Sequence, residues 1–411
     1  MVQEKLYAVP YAEKKKNLCS LCRGYRGLCG KSVCPILARA KALLSGDIKE
    51  VVFGASPPAI FIGSSGYPKV LAGPLLPPLT EDTEIMDMPE LWVNKSLQDI
   101  IGYRTSLIRG KSVVEVTSAA EPDRTTTKIQ EIVMASRPTD IEATFEKKPN
   151  LSLSFSSRAP PSGPSAMLKN LKLAENPKVD RAVDKIVYDT DMKASEGVIE
   201  LYSSNIPQSR ITKILSAGLL GTKKKRRFVP TEWSITATDD IIAKALHREL
   251  KDYPQTEDYM LFSFSALANS VHILLFPSSW FFEAQEVWIT SGNPAIGLDY
   301  ELAMGRKSYA KDLEGAYYAA RVPVLEYLSS IKRQAGALVI LEVYPDWIPL
   351  GVWRFRELCR EAFRGGHHFD TLNEALAALS KNLALPLDRY TKRSIVLRSF
   401  LTQKKLTDYG S

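Results

Sequence analysis

The chain has 411 residues, which is enough for two or three domains at about 150 residues each. Hydrophobic residues make up 45% of the sequence and charged residues 24%, a balance that excludes an intrinsically disordered chain. The formal net charge of +8 is compatible with a polyanionic partner, although charge describes solubility and association rather than fold.

Residues 1–16 contain no apolar stretch of the kind that secretory signals carry, so we expect an intracellular, cytoplasmic protein. Four cysteines follow, with the spacing C-x2-C-x6-C-x4-C. Four thiolates complete a tetrahedral shell and leave no open position for a substrate water, which predicts a structural Zn²⁺ site. An iron–sulfur cluster stays open as an alternative, because the last cysteine precedes a proline, whereas disulfides do not suit a reducing compartment. The ligands would be Cys19, Cys22, Cys29 and Cys34.

Basic and aromatic residues alternate with these cysteines. Arg23, Arg26 and Lys31 lie between the ligands, together with Tyr25. On a small metal module such side chains suit a phosphate backbone, and they are equally compatible with a solvated surface. The three cations are therefore candidate contacts to nucleic acid.

The segment from residue 47 to residue 225 mixes short apolar strands with amphipathic helices. A helix with Pro35 at its first position leads into it from the zinc module. The Gly- and Pro-rich residues 66–79 predict irregular structure, and residues 158–166 predict a loop. The other predicted elements are strands over 50–54, 59–65 and 111–119, a helix over 125–136, a hairpin pairing 140–146 with 151–157, and helices over 180–193 and 208–215.

Five consecutive basic residues mark a change of composition at the end of this segment. A run of like charges is costly unless water solvates it or a polyanion neutralises it. The run therefore predicts an exposed connecting loop or a domain boundary, and a candidate nucleic-acid contact. Its members are Lys223, Lys224, Lys225, Arg226 and Arg227.

The segment from residue 226 to residue 401 predicts a second mixed region. Asp239 is expected to cap a helix that runs to residue 250, and residues 233–236 to form a strand. Residues 260–282 are long enough to span a membrane, but they carry polar residues and a proline, which favours two buried strands joined by a turn. Further helices are predicted over 315–331, 353–363, 372–383 (opened by a Thr371–Glu374 capping box) and 386–401, and a strand over 337–344.

This order of elements lacks strict alternation of strand and helix, which indicates an α+β fold. The predicted organisation is a zinc module over 1–46, two mixed regions over 47–225 and 226–401, and a free tail over 402–411 after a C-terminal helix.

Asp299 and Glu301 are the best carboxylate pair for metal-assisted phosphodiester chemistry. In a strand they point to one face, as a shared Mg²⁺ or Mn²⁺ requires. Glu283 with Glu286 is compatible with an exposed helical face, and Asp240 follows the cap residue. No phosphate loop, nucleophile elbow or dinucleotide fingerprint occurs, so we do not expect ATP-driven chemistry. His247, His272 and Cys359 are predicted to be structural, and His367 with His368 to lie in a surface loop.

Several stretches together resemble the archaeal Nre family of DNA repair proteins. They are the four-cysteine module, "GYPKVLAGP", "PTEWSIT", "GNPAIGLDYE", "GAYYAAR" and "GVWRFRE", and the resemblance extends over essentially the whole chain. It implies a role in repair and association with the sliding clamp, PCNA, through a C-terminal peptide. The residues that match this peptide are Gln403, Leu406 and Tyr409, whereas Gly410 stands where the family pattern has a second aromatic residue.

Three functions follow from these patterns. The first is a repair factor that binds DNA and is tethered to the clamp, and the second is a clamp-recruited, metal-dependent nuclease specific for DNA structure. The third is an RNA-associated zinc protein. None of them involves a membrane.

Overall fold

The computed structural model describes Cys34 and residues 49–150, 158–289 and 294–402. The other three predicted zinc ligands and the C-terminal peptide lie outside these residues, as do Arg23, Arg26 and Lys31. The zinc module and the tail therefore stay predictions.

The first sheet contains six strands. They are β1 (Val51–Ser56), β2 (Ile60–Ile62), β3 (Lys69–Leu76), β4 (Ile108–Glu115), β5 (Thr139–Phe145) and β6 (Ser165–Leu173). Their order in the sheet is β1-β5-β6-β4-β3-β2, and only β4 and β6 run parallel. Along β5 every second residue is buried, which is the two-residue period of a strand with one face on the core.

The second sheet also contains six strands, of which β8 and β11 are buried along their whole length. The strands are β7 (Tyr259–Ala266), β8 (Asn269–Phe276), β9 (Phe281–Trp288), β10 (Ala295–Glu301), β11 (Gly336–Val343) and β12 (Gly366–Phe369). They are ordered β10-β9-β11-β8-β7-β12, with β9 and β11 parallel and the other neighbours antiparallel.

Eleven α-helices lie in the described part of the chain. They are α1 (Leu97–Ser106), α2 (Arg124–Met134), α3 (Arg181–Tyr188), α4 (Ala194–Ser203), α5 (Gln208–Ser216), α6 (Thr231–Leu250), α7 (Gly315–Ser330), α8 (Trp353–Ala362), α9 (Leu372–Ser380), α10 (Asp388–Thr391) and α11 (Ile395–Thr402). The predicted capping box opens α9, where the Thr371 side chain accepts from the Glu374 amide at 3.2 Å. None of the described helices combines the length and the apolar character that a bilayer span requires.

One apolar core joins the two sheets. It contains Ile62 and Val70 of the first sheet, Ile273 and Val339 of the second, and buried residues of α6, α7 and α8 between them. A second cluster covers the other face of the second sheet, where Leu379 of α9 packs with residues of α11. The mixed α+β architecture is confirmed, and both predicted mixed regions contribute to the same core.

The predicted hairpin over 260–282 is confirmed as β7 and β8. Its turn is Leu267-Ala268, and both residues have φ near +55°. Two consecutive left-handed residues match the right-handed twist of the flanking strands. The side-chain amide of Asn269 donates to the Leu267 carbonyl at 2.6 Å and holds this turn.

Three predictions of local structure were wrong. Residues 69–76 form β3, although they include Gly73 and Pro74, because Val70 and the continuous run from Ala72 to Leu76 are buried between neighbouring parts of the fold. Residues 233–236 are helical, since α6 begins after Pro230, and Asp239 therefore lies inside the helix rather than at its cap. His367 and His368 belong to the edge strand β12 instead of a loop.

Two other predictions need revision. The partners of β5 are β1 and β6, and the hairpin partner predicted at 151–157 lies outside the described residues. Residues 386–401 form the two short helices α10 and α11 rather than one. The last of them does not leave the body, because Val396 and Leu397 are buried against the second sheet.

Candidate functional site

A pocket lies where the first sheet meets the helices that cover the second. Strands β2 and β3, residues 158–160, and helices α5, α6 and α8 supply its walls, and it encloses about 60 Å³ of free space. Pockets in proteins occur preferentially at such junctions between structural units. Segments far apart in the sequence therefore converge here, including "PTEWSIT" and "GVWRFRE" of the motifs noted above.

Aromatic and aliphatic side chains form one wall of the pocket. Phe61 and Leu75 come from the first sheet, Ile235 from α6 and Trp353 from α8. The Trp353 ring is fixed by an edge-to-face contact with Trp92 at 5.0 Å between centroids. This wall suits a flat or apolar part of a ligand.

Charged side chains also line the pocket. Arg104, Arg158, Lys213 and Arg356 line it, whereas Asp87 is the one carboxylate among the described lining residues. Asp87 forms ion pairs with both Arg104 and Lys213, the latter at 2.9 Å from Lys213 Nζ to Asp87 Oδ2. Arg158 pairs with Glu314 at 2.7 Å, and Arg356 pairs with Asp239, so each lining cation has a carboxylate partner.

A buried carboxylate of α6, that of Asp239, holds the Arg356 guanidinium in place. The Nη1 of Arg356 donates to Asp239 Oδ1 at 2.8 Å, and its Nε donates to Glu357 at 3.1 Å. Gln208 of α5 also donates to Asp239. Burial raises the pKa of Asp239 to about 6, although Arg356 opposes this shift, so Asp239 is ionised at neutral pH. Asp239 of α6, with Arg356 of α8 and Gln208 of α5, therefore connects these three helices beneath the pocket.

A second set of charged hydrogen bonds extends this network. Arg360 donates to Glu326 of α7 at 2.9 and 2.7 Å and to Gln208 at 2.7 Å. The Tyr202 hydroxyl of α4 donates to the same Glu326 carboxylate at 2.7 Å. Burial and the neighbouring carboxylate raise the pKa of Tyr202, which keeps it a donor. Four helices are therefore locked together, and the charged side of the pocket is rigid.

Ser209 offers a free polar atom at the pocket. Its amide donates to Glu90 at 2.8 Å, but its hydroxyl is buried and has no hydrogen-bond partner among the described residues. A buried hydroxyl without a partner is costly unless a ligand or water satisfies it. The pocket therefore offers a small ligand an apolar surface and the unsatisfied Ser209 hydroxyl.

The carboxylates of Asp299 and Glu301 lie on one buried face of β10, as predicted. Asp299 pairs with Arg306 at 2.8 Å and accepts from two backbone amides at 2.9 and 2.8 Å. Glu301 accepts from Trp280 and from Arg321, both at 2.7 Å. Each carboxylate has its own arginine, and the described residues contain no group of three metal-ligating side chains. Their use as metal ligands stays a prediction, and this arrangement does not favour it.

The other acidic candidates are structural. Glu283 accepts from the amides of Ile395 and Val396, at 2.7 and 3.0 Å, and so holds the start of α11. Glu283 and Glu286 lie on strand β9 rather than on an exposed helical face. Asp240 pairs with Lys244 at 2.6 Å on the surface of α6.

The basic run is exposed as predicted, except for one member. Lys223, Lys224 and Lys225 form a short 3₁₀ turn, and Arg227 is also exposed. Arg226 is half-buried and donates to the carbonyls of Gly221 and Val187, at 2.9 and 2.6 Å. Four of the five cations are therefore accessible to a polyanion, whereas Arg226 holds the turn.

The remaining candidates are buried. His272 contacts the Ser263 hydroxyl at 2.9 Å, and His247 packs against Trp280 at 5.6 Å between ring centroids. Burial lowers the pKa of His247 to about 4. Cys359 is fully buried, which raises the pKa of its thiol. All three fill structural positions, as expected.

Sequence patterns did not reveal the pocket. Its charged residues come from separate elements, and the pairing of Arg356 with Asp239 joins positions that lie 117 residues apart. A weak signal was present in the helix that begins at Trp353, where arginines occupy positions on an otherwise apolar, buried face. A buried arginine requires a carboxylate partner, but the sequence does not say which one.

Two family models match the chain. The archaeal Nre N-terminal model matches residues 28–293, and the archaeal Nre C-terminal model matches residues 301–409. No solved structure matches.

Three characterised proteins are similar over most of their length. DNA repair protein NreB of Archaeoglobus fulgidus is 37% identical over 388 residues, which cover 92% of this chain and 97% of that protein. DNA repair protein NreA of the same organism is 38% identical over 372 residues, or 89% of this chain and 93% of that protein. DNA repair protein NreA of Haloferax volcanii is 34% identical over 372 residues, or 86% and 88% of the two chains.

Proposed function

We propose, because the chain belongs to the archaeal Nre family, that it is a DNA repair factor that binds DNA and is tethered to the sliding clamp by its C-terminal peptide. The likeness to DNA repair protein NreB over 92% of the chain supports the repair role.

The observation that carries DNA binding is the exposed basic run. Lys223, Lys224, Lys225 and Arg227 project from a short turn, and no ion pair engages them in the part of the chain that the structure describes. Unpaired surface cations bind phosphates through the release of counterions, independently of sequence. The run would therefore supply affinity rather than specificity.

Replacing these four cations by serine, with Arg226 kept to hold the turn, is expected to weaken binding to duplex DNA at least tenfold at low salt. If each cation contacts one phosphate, the magnitude of the slope of log affinity against log salt concentration falls by roughly 3.6. Fluorescence anisotropy over a salt series measures both quantities. A matched control replaces four exposed cations elsewhere, Lys95, Lys251, Lys332 and Arg389. An equal loss of DNA affinity in both variants would show that the run acts only through its contribution to the net charge.

Clamp tethering rests on the peptide that follows α11. This helix ends at Thr402 and is anchored by Val396 and Leu397, so Gln403 follows a fixed point of the body. A short peptide that binds by an aliphatic and an aromatic anchor beside a glutamine is a known mode of recognition. The peptide itself lies outside the described residues.

We expect the intact protein to bind the archaeal clamp with micromolar affinity, which is roughly −8 kcal/mol. A version stopped at Leu401, and a second with Leu406→Ala and Tyr409→Ala, should give no measurable heat in calorimetric titration. The double substitution removes the side chains that fill the partner's pocket but leaves the backbone present. Equal heats from all three proteins would refute tethering through this peptide.

The nuclease alternative receives less support. Its best candidates, Asp299 and Glu301, are each neutralised by a separate arginine, Arg306 and Arg321. Incubation with forked, flapped and single-stranded DNA in Mn²⁺ or Mg²⁺ separates a nuclease from a binding factor. The third alternative, an RNA-associated zinc protein, has no specific observation in its favour.

A further inference from the structure

Arg109 carries a guanidinium without an ion-pair partner among the described residues, and it lies against Phe61, one of the residues that line the pocket. It projects from β4 and lies over the Phe61 ring at 3.7 Å from the ring centroid. Its Nε is buried without a hydrogen-bond partner, and no ion pair engages it among the described residues. Burial lowers the pKa of Arg109 to about 10, which agrees with a cation withdrawn from water and not compensated by a carboxylate. Such a group is satisfied when an anion binds it.

Lys111 lies two residues further along β4 and therefore on the same face of the sheet. It is half-buried, and burial together with the charge of Arg109 lowers its pKa. Within the described ranges it also has no ion-pair partner. Two neighbouring cations without a carboxylate repel each other, and a bound phosphate relieves this repulsion.

Two glycines leave room for the Arg109 side chain beside Phe61. Gly73 of β3 pairs with Phe61, and a Cβ at Gly73 would lie 2.0 Å from the Gly110 carbonyl oxygen. The close approach of β3 and β4 leaves no side chain between Arg109 and the Phe61 ring. Gly63, at the end of β2, would place a Cβ 3.5 Å from Arg109 Nη2, so the guanidinium also borders the turn that joins β2 to β3.

The same turn carries one half of an exposed aromatic pair. Tyr67 is 48% exposed, and Trp233 in the first turn of α6 is 44% exposed. Their ring centroids are 5.2 Å apart with planes at 46°. The Ile62 amide donates to Thr231 Oγ1 at 2.9 Å and fixes α6 against the turn. Large aromatic side chains that stay this exposed offer a surface on which a nucleobase can stack.

The cations and the aromatic pair are close enough to bind one strand. Gly63, whose backbone lies near the Arg109 guanidinium, is four residues from Tyr67, so the two sites lie within roughly 14 Å plus the length of their side chains. A few nucleotides span this distance. Alternating phosphate contacts and stacked bases are the recognition mode for single strands, whereas the bases of an intact duplex present no free faces.

We propose that Tyr67, Arg109, Lys111 and Trp233 form a binding surface for single-stranded DNA, with phosphates at the two cations and bases stacked on the aromatic pair. The inference rests on the proposed function for the identity of the polymer. It adds a preference for unpaired strands to the electrostatic binding assigned to the basic run.

The test compares labelled single-stranded and duplex oligonucleotides of one sequence, with variants of the full chain. Tyr67→Ala with Trp233→Ala should weaken single-strand binding at least tenfold, without changing the salt slope or the duplex affinity. Arg109→Met with Lys111→Met should weaken it to a similar extent and lower the slope by about one to one and a half. Phe53→Ala, at an aromatic residue that is 47% exposed on β1, the edge strand opposite β2, and Lys95→Ala should have no effect.

Trp233 also supplies a signal that a purely structural role would not give. Its fluorescence should be quenched as single-stranded DNA stacks on it, and Trp233→Phe should remove that quenching while it keeps at least part of the affinity. Thermal melting of each variant verifies that the fold is intact.

The outcomes separate the two proposals. A wild-type protein that binds no DNA at low salt overturns the proposed function. Wild-type binding that survives both double substitutions overturns this inference alone, as does equal affinity for the single strand and the duplex. Tighter binding of the matching RNA strand overturns the assignment to DNA.

Discussion

Replacing Asp239 by leucine is expected to lower the free energy of unfolding by about 3–5 kcal/mol. Asp239 and Arg356 are 0% and 3% exposed, so water cannot take the place of the lost carboxylate. The substitution leaves the Arg356 guanidinium buried with Glu357 alone and removes the acceptor of the Gln208 amide. Chemical denaturation monitored by circular dichroism measures the change.

The neighbouring residue provides the control for this prediction. Asp240→Ala removes a carboxylate from the same turn of α6, but its close partner Lys244 is solvated. The buried Arg321, 3.9 Å from Asp240, keeps its pair with Glu301, so the expected cost is below about 1 kcal/mol. Adding Arg356→Met to Asp239→Leu should recover part of the loss, because an apolar pair does not leave a charge buried. Equal losses of unfolding free energy for Asp239→Leu and Asp240→Ala would show that the buried pair stabilises the fold no more than the exposed pair does.

Acid is expected to destabilise the protein through His247 before most carboxylates titrate. Burial holds the pKa of His247 at about 4 in the folded protein, below the ordinary value of 6.5. As the pH falls below about 6.5, His247 becomes protonated in the unfolded chain, whereas in the folded protein it stays neutral until the pH approaches 4. The contribution to stability is therefore complete above that pH and is lost between pH 6.5 and 4, by up to about 3 kcal/mol.

Unfolding titrations of the wild type and of His247→Leu between pH 4 and pH 8 measure this contribution as a difference in slope. The difference removes the titration of the carboxylates, which both proteins share. His367→Gln changes an exposed histidine of β12 and should leave the slope unchanged. If His247→Leu has the wild-type slope, His247 does not titrate in this window.

Strong local patterns predicted much of the fold. The apolar runs of β8 and β11 and the capping box of α9 are encoded in adjacent residues. The prediction failed for "WSIT". Its β-branched and aromatic residues are typical of a strand, but the segment lies in the first turns of the helix that follows Pro230. It also failed for β3, where Gly73 is required by the close approach of β4, a contact that no local pattern contains.

The candidate site was less accessible to sequence reasoning. The exposure of the basic run follows from its own composition, and the structure agrees for all members but Arg226. Arg109 gave no signal in the sequence, since a single arginine in a strand is ordinary. Its significance comes from the missing carboxylate and from Phe61 beneath it, and both depend on how β2, β3 and β4 are paired.

If the proposed clamp peptide binds, the docking of α11 on the second sheet would limit how far the protein can act from the clamp. In the proposed complex the clamp-binding residues would begin at Gln403, six residues after the buried Leu397, so little chain would separate the body from the ring. Even fully extended, the nine residues from Gln403 to Ser411 reach only about 30 Å. DNA leaving the ring would then meet the protein at a millimolar effective concentration. A surface whose own affinity for DNA is weak would be occupied there and nearly empty elsewhere on the chromosome.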